Sequence, residues 1–162
     1  MDKVYIGKIV STHGIKGEIK IISNFEYKDK VFQKGKKLLI DDKNYQIRTY
    51  RHHKNYDMVT LDNYDDINDI LFLMKKQVYI NKDELSLLDT EILDEDLLKY
   101  KVKTNYNYEG VVEEIFFASS TNKIIRVNVN NKSILVPFNS PMVKQISKQE
   151  NTIYLELLEG MI

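Results

Sequence analysis

The sequence contains no cysteine, which excludes disulfide bonds and thiol chemistry. It has no apolar run long enough to cross a bilayer, and Asp2 and Lys3 lead directly into a strand pattern rather than a signal peptide. We therefore expect a soluble, cytoplasmic protein without membrane contact. The formal net charge is zero, because 24 Lys and Arg residues balance 24 Asp and Glu residues. A broad electrostatic attraction to naked nucleic acid is not expected.

Positive charge is concentrated in the first third of the chain. Between Lys3 and Lys54 there are thirteen Lys and Arg residues against five Asp and Glu residues, an excess of eight positive charges. A basic segment of this kind is compatible with RNA phosphates, although a solvated lysine-rich face is the commoner meaning. We expect the densest basic run to form such a face and to add long-range attraction to an anionic partner. This run comprises Lys28, Lys30, Lys34, Lys36 and Lys37.

Short strand patterns separated by polar turns predict a mainly β protein, with strands that include residues 101–104 and 132–137 and a two-residue hairpin turn at Asn130-Asn131. The predicted fold class is all-β, with two small β-barrels joined by a linker and one short helix in the first barrel. We assign residues 1–82 to the first barrel domain, 83–95 to the linker and 96–162 to the second domain. Asp65 or Asp66 can cap the helix. Its apolar face is expected to carry four residues at helical spacing, namely Ile67, Ile70, Leu71 and Met74.

The most distinctive stretch of the sequence is residues 4–22. Two β-branched runs flank a connector, residues 11–17, in which Gly14 and Gly17 suit positive φ angles or close backbone approach. Together with Gly7, these glycines invite comparison with a phosphate-binding dinucleotide fingerprint. Such a fingerprint leads from a strand into a helix, whereas the residues after Gly17 are typical of a strand. We therefore predict a glycine-tightened connection between barrel strands and no bound cofactor.

The same stretch, GKIVSTHGIKGEIKI, resembles the opening signature of the RimM family of ribosome maturation factors. The residues that fit the signature are Gly7, Lys8, Ile9, His13, Gly14, Lys16, Gly17 and Glu18. The second half resembles the PRC-barrel domain that follows in this family. Its matching residues, to which we assign motif or structural roles, include Glu91, Asp96, Leu97, Gly110 and Pro137. The resemblance covers nearly the whole chain in the right order.

The sequence departs from the family pattern at three places. Two tyrosines usually follow the glutamate of the second domain, where this chain has Ile92 and Leu93. Aliphatic side chains cannot stack on a base or offer a phenolic hydroxyl. Lys75 and Lys99 stand where the family usually has glycine, so we expect the helix terminus at Lys75 to differ.

The resemblance implies a non-catalytic assembly factor for the small ribosomal subunit, with no cofactor or metal. It implies help in maturing the subunit head and processing 16S rRNA, through binding to the immature 30S subunit, small-subunit ribosomal protein nineteen and 16S rRNA. We expect a monomer. The candidates for ribosome or RNA contact are His13, Lys16, Lys20, Arg51 and Lys54. The candidates for protein contact are Ile92, Leu93, Tyr106, Tyr108 and Phe117.

Other functions have weaker support in the residues. A PRC-barrel scaffold or interaction module unrelated to ribosomes is the alternative, but it would lack the glycine-histidine barrel in front. An enzyme would need a nucleophile, a base and an orienting group, and no such set accompanies His13. The adjacent His52 and His53 are expected to point to opposite faces of a strand, which disfavours joint metal binding. Packing is the default role for the aromatic residues of the second half, with protein contact as the more specific alternative.

Overall fold

The computed structural model describes residues 2–162, which form two units that divide between Ser86 and Leu87. Each unit is built around one curled sheet of six strands. Short β-branched and aromatic runs form the strands, and Asn, Asp, Lys and Gly residues form most of the turns between them. The prediction of a mainly β chain with two small β units is confirmed.

The first unit is a closed antiparallel barrel with one short α-helix. Its elements are β1 (Lys3–His13), β2 (Glu18–Ile22), β3 (Lys37–Ile40), β4 (Lys43–His53), β5 (Tyr56–Leu61), α1 (Ile67–Ile70) and β6 (Gln77–Asn81). The strand order is β1-β2-β5-β4-β3-β6, and β6 pairs back onto β1. The core of the barrel is formed by fully buried side chains that include Ile6, Ile9, Ile19, Ile21, Leu38, Ile47 and Val59.

The predicted connector between the first two strands is shorter than expected, because β1 continues through His13. Only residues 14–17 form the turn. A Cβ atom on Gly17 would lie 2.7 Å from the carbonyl oxygen of Tyr64, and the φ angle of Gly17 is +84°. Glycine is therefore needed here for both backbone conformation and close packing. The backbone N–H of Ile67 donates to the carbonyl of Ile15 at 3.0 Å, which joins this turn to the start of α1.

The helix α1 begins at an aspartate cap, as predicted. The Asp66 carboxylate accepts the backbone N–H two residues later at 2.9 Å. The helix ends earlier than predicted, because the chain tightens into a 3-10 turn over Leu71–Leu73. This turn buries Leu73 and leaves Leu71 half exposed. The predicted apolar face through Leu71 and Met74 is therefore wrong.

Lys75 follows this turn at the position where the family usually has glycine. Its φ angle is +65°, and its backbone N–H donates to the carbonyl of Ile9 at 2.9 Å. The backbone at the end of the helical segment thus takes the left-handed conformation that glycine favours. Lys75 therefore keeps the backbone conformation of a glycine at this position. It differs from glycine in carrying a side chain, whose Cβ atom makes this conformation less favourable by about 1–2 kcal/mol.

The second unit contains a six-stranded sheet and a short helix that the sequence did not predict. Its elements are α2 (Asp94–Leu97), β7 (Lys101–Thr104), β8 (Glu109–Ser119), β9 (Asn122–Val129), β10 (Lys132–Pro137), β11 (Val143–Ser147) and β12 (Thr152–Leu155). The strand order is β10-β9-β8-β7-β12-β11, and β12 runs parallel to β7. Asn130 and Asn131 join β9 to β10 with φ angles of +53° and +61°, which confirms the predicted two-residue hairpin turn.

The core of the second unit combines apolar side chains with a buried lysine that pairs with an exposed carboxylate. Its buried cluster includes Ile92, Leu97, Val102, Val112, Ile125, Val127, Val129, Val136 and Ile153. The Lys123 side chain is only 2% exposed, and its ammonium lies 2.6 Å from the Asp94 carboxylate. The same ammonium lies 5.1 Å from the centroid of the Phe138 ring. Lys123 therefore fastens α2 to β9 and to the residue after β10.

Candidate nucleic-acid interface

A β-bulge in β4 sets which side chains reach the outer surface of the first barrel. Ile47 is fully buried, and strict alternation from it would direct Arg51 and His53 toward the core as well. The register of β4 on β5 shifts between Ile47 and Thr49, so the alternation reverses beyond that point. Arg51 and His53 therefore lie on the outer face, and His52 points the other way.

Arg51 forms a bidentate ion pair with Glu18. Its Nε donates to Oε2 at 2.9 Å, and its Nη2 donates to Oε1 at 2.8 Å. The pair bridges β5, because Met58 of β5 is in register with Arg51 on one side and with Lys20 on the other. The hydrogen bond from Arg51 holds the pKa of Glu18 below its ordinary value. The Arg51 side chain remains 48% exposed, which leaves guanidinium N–H groups for a further anion.

Two histidines lie beside this ion pair. The ring centroids of His13 and His53 are 6.3 Å apart, although β1 and β4 are not neighbours in the barrel. The Lys20 ammonium lies over the ring of Tyr56, 5.1 Å from its centroid. Tyr56 is in turn the register partner of His53 across the hairpin. The side chains of β1, β2, β4 and β5 thus converge on one surface.

The electrostatics of His53 reveal how close the cationic groups are. Its pKa lies below the ordinary imidazole value, because the ring is partly withdrawn from water and because neighbouring positive groups oppose its protonation. Those groups are Arg51, Lys54, His13 and Lys20. We call the surface formed by His13, Glu18, Lys20, Arg51, His53, Lys54 and Tyr56 the histidine surface.

The histidine surface brings together four of the five residues predicted to contact RNA. The fifth, Lys16, lies exposed in the turn between β1 and β2. Glu18, expected to have a motif role, is the anionic partner of Arg51. The gathering of His13 and Lys20 around His53 was not predicted from the sequence. The spacing of two between Arg51 and His53 on one strand was the available signal.

A second polar cluster, centred on Asp57, was also missed. Asp57 is fully buried; it accepts a hydrogen bond from the Tyr50 hydroxyl at 2.6 Å, and its other oxygen lies 2.8 Å from the Lys28 ammonium. His52 Nδ1 lies 3.2 Å from the carboxylate. Burial raises the pKa of Asp57, but hydrogen bonds from Lys28, Tyr50 and His52 outweigh burial and hold that pKa below its ordinary value. Asp57 and Val59 lie two residues apart on β5, and this spacing was the sequence signal that the Asp57 side chain faces inward.

The cluster corrects the expectation that Lys28 belongs to a solvated basic face. Its ammonium is paired with the buried carboxylate, and its side chain is 33% exposed. Lys28 lies in a short 3-10 turn, Lys28–Lys30, in the segment between β2 and β3. The ion pair therefore ties this segment to β5 and serves the fold of the barrel.

In the second unit, the protein-contact candidates divide into buried and exposed groups. Ile92 packs in the core, and Leu93 is 5% exposed, so neither offers a contact surface and their prediction as contacts is wrong. They are apolar residues flanking α2 and are withdrawn from water with it. Tyr106, Tyr108 and Phe117 are exposed at 42%, 40% and 46%. Their default interpretation as packing residues is therefore wrong, and they remain available to a partner.

The other motif residues have structural surroundings. A Cβ atom on Gly7 would lie 2.2 Å from the carbonyl oxygen of Ile22, and one on Gly110 would lie 2.0 Å from that of Asn128, so both glycines permit close strand approach. The Glu91 carboxylate accepts the backbone N–H of Leu88 at 2.8 Å. The remaining motif residues lie in α2 and at the end of β10; they are Asp96, Leu97 and Pro137.

Residues 2–162 contain neither a metal-ligand cluster nor a membrane-spanning helix. Within this range, no three His, Asp or Glu side chains are grouped so that they could hold a metal ion. The helices described in this range are all too short and insufficiently apolar to cross a membrane.

Comparison with known proteins places both units among related sequences. A family model described as the RimM N-terminal domain matches residues 4–85. Ribosome maturation factor RimM of Staphylococcus saprophyticus is 34% identical over 168 residues, which cover 99% of each chain. The protein of the same name from Ligilactobacillus salivarius is 30% identical over 167 residues, with 99% of each chain covered. A crystal structure of a 16S ribosomal RNA processing protein from Pseudomonas aeruginosa is 22% identical, with a TM-score of 0.48, over 97% of this chain and 98% of that chain. The sequence relatives thus span both units.

Proposed function

Because this chain belongs to the RimM family of ribosome maturation factors, we propose that it assists head-domain maturation of the small ribosomal subunit and processing of 16S rRNA by binding. Its partners in this proposal are the immature 30S subunit, 16S rRNA and small-subunit ribosomal protein nineteen. We propose that it acts as a monomer in the cytoplasm. None of its residues is assigned a bond-making or bond-breaking role.

The observation that carries the RNA part of the proposal is the convergence of basic side chains on the histidine surface. Lys20, Arg51 and Lys54 bring three positive charges to one face, and Glu18 offsets one of them. Arginine and lysine side chains are the usual donors to phosphate oxygens, and such contacts fix a protein's position without reading sequence. A chain with zero net charge can hold RNA through a local surface of this kind, with its affinity dependent on salt.

The exposed aromatic residues of the second unit support the protein part. Tyr106 and Tyr108 lie in the turn between β7 and β8, where their backbone N–H groups donate to the Thr104 hydroxyl at 3.2 and 3.3 Å. The turn is thus held in place while its rings face water. Tyrosine is favoured at protein interfaces because it offers a large apolar body and a hydroxyl. We propose these tyrosines, with Phe117, as contacts to ribosomal protein nineteen in place of the buried Ile92 and Leu93.

Binding alone is a sufficient mechanism for such a factor. A protein that binds one near-mature arrangement of the subunit head more tightly than competing arrangements raises the population of that arrangement. The free energy by which this population shifts equals the difference between the binding free energies of the favoured and the competing arrangements. The mechanism therefore needs neither nucleotide nor catalysis. Contacts to RNA from one unit and to protein from the other would favour the arrangement that presents both partners together.

Co-sedimentation with immature small subunits tests the RNA contact. Arg51→Ala is expected to weaken binding about tenfold and to reduce the salt dependence by about one ion. Arg48→Ala is the matched control, because Arg48 lies on the same strand and pairs with Asp65, a partner that is 75% exposed. Equal binding by the two variants would remove the histidine surface from the proposal. Tyr106→Ala tests the second unit separately, through loss of ribosomal protein nineteen from a pull-down.

A further inference from the structure

His53 is a partly buried ionisable group of the histidine surface that is not committed to an ion pair with a carboxylate. The charged and titratable groups facing it come from each element packed against it: His13 of β1, Glu18 and Lys20 of β2, Arg51 of β4, Lys54 of the turn and Tyr56 of β5. Glu18 is already engaged by the Arg51 guanidinium through two hydrogen bonds. The surroundings of the imidazole are therefore predominantly cationic.

Without a ligand, this environment disfavours protonation of His53. Its pKa is below the ordinary value of about 6.5, because the ring is partly withdrawn from water and surrounded by positive groups. His52, the adjacent residue, has a different environment, since its ring faces the buried Asp57 carboxylate. Two neighbouring histidines thus differ in the sign of the nearest charge.

We propose that RNA binding at the histidine surface is coupled to proton uptake by His53. A phosphodiester group placed among Lys20, Arg51 and Lys54 brings a negative charge that offsets the cations around the imidazole. The protonated ring then becomes a further N–H donor to the phosphate. This inference rests on the proposed RNA contact, and it names the phosphodiester as the ligand group and the proton as its co-ligand.

The sign of the coupling follows from linkage. If the bound state has the higher His53 pKa, binding takes up a proton wherever the pH lies between the free and bound values. Affinity therefore rises as the pH falls through that window and levels off below it. A rise of one unit in the pKa corresponds to about tenfold tighter binding at low pH.

The test measures affinity of the full chain for a transcript of the 16S rRNA head domain at constant ionic strength, at about pH 8 and about pH 6. Wild-type protein is expected to bind roughly threefold to tenfold more tightly at the lower pH. His53→Asn should remove most of that difference, which is read as the ratio of the affinities that the variant itself shows at the two pH values. His52→Asn is the matched control and should keep the difference in affinity that the wild-type protein shows between the two pH values.

A direct measurement on wild-type protein does not depend on any variant folding. The His53 imidazole resonances are titrated by NMR with and without the transcript, and the pKa is expected to rise on binding. An unchanged pKa, or an equal pH effect in His53→Asn and wild type, would overturn the proton coupling while leaving the RNA contact intact. Absence of binding at both pH values would instead contradict the proposed function itself, and full binding by Arg51→Ala would remove the histidine surface from it.

Discussion

Replacing Asp57 with asparagine tests whether the buried ion pair stabilises the first barrel. The wild-type carboxylate is fully buried and meets the Lys28 ammonium at 2.8 Å and the Tyr50 hydroxyl at 2.6 Å. Asparagine preserves the size of the side chain and one acceptor for Tyr50. It removes the negative charge, however, and places an amide opposite the lysine. Asp57→Asn therefore isolates the charge from the packing.

The expected magnitude follows from the exposure of the two partners. Removing one partner of a fully buried ion pair costs about 3–5 kcal/mol, because the other charge is left without compensation. The Lys28 side chain is 33% exposed, so water replaces part of the lost interaction. We therefore expect Asp57→Asn to lower the free energy of unfolding of the first unit by about 2–3 kcal/mol.

The assay is urea unfolding near neutral pH, with amide hydrogen exchange of β5 reporting on the first unit alone. Asp65→Asn is the control, because Asp65 likewise pairs with a basic side chain, Arg48 of β4, but is itself 75% exposed. Its effect is expected to be too small to resolve. Asp57→Asn and Asp65→Asn with equal, small effects would refute the view that burial makes the Asp57 pair important.

The pH dependence supplies a second criterion. The pKa of Asp57 is below its unfolded value of about 3.9. Its contribution is therefore fully present above that unfolded value and is lost as the pH falls through the folded one. The stability difference between wild type and Asp57→Asn should be constant above about pH 5 and should shrink below about pH 4. A difference that persists unchanged into that acidic range would mean that the effect comes from packing rather than charge.

Two predictions concern backbone conformation. Lys75→Gly is expected to raise the free energy of unfolding by about 1 kcal/mol, because Lys75 has a φ angle of +65°. Lys99→Gly is the control and should give no gain. Equal effects of the two substitutions in urea unfolding would contradict a conformational cost at Lys75. Gly7→Ala should destabilise the first barrel by more than about 2 kcal/mol, because a Cβ atom there would lie 2.2 Å from a backbone oxygen. Gly14→Ala, which has φ of +67° but open space around it, should cost only about 1 kcal/mol in the same assay. A cost for Gly7→Ala no larger than for Gly14→Ala would contradict the close strand approach.

Local signals in the sequence were sufficient for most of the strands. The predicted bounds of β10 match the observed Lys132–Pro137, and those of β7 match Lys101–Thr104. These strands are short apolar or alternating runs between turn-forming residues, and the Asn130-Asn131 turn needs only the positive φ that asparagine tolerates. Where the structure is decided within about ten residues, the sequence is informative.

The sequence was less informative where partners come from distant segments. Lys28 looked like one lysine of a solvated run, and its partner Asp57 lies 29 positions later in the chain. Lys123 and Asp94 form a comparable pair across the same separation. Ile92 and Leu93 looked like replacements for a contact pair, but the helix after them, α2, was not predicted and carries them into buried positions. Such outcomes depend on tertiary packing, which overrides local pattern.

The histidine surface itself depends on a single inserted residue. Between Ile47 and Thr49, two steps along β4 correspond to one step along β5, from Leu61 to Thr60. A sequence pattern does not reveal this bulge, because alternation is still seen on either side of it. Without the bulge, Arg51 would face the core and could not reach Glu18, and the faces of the two adjacent histidines would be exchanged. The residue types therefore supply the chemistry of a phosphate contact, whereas the register of one hairpin determines that this chemistry is presented to a partner.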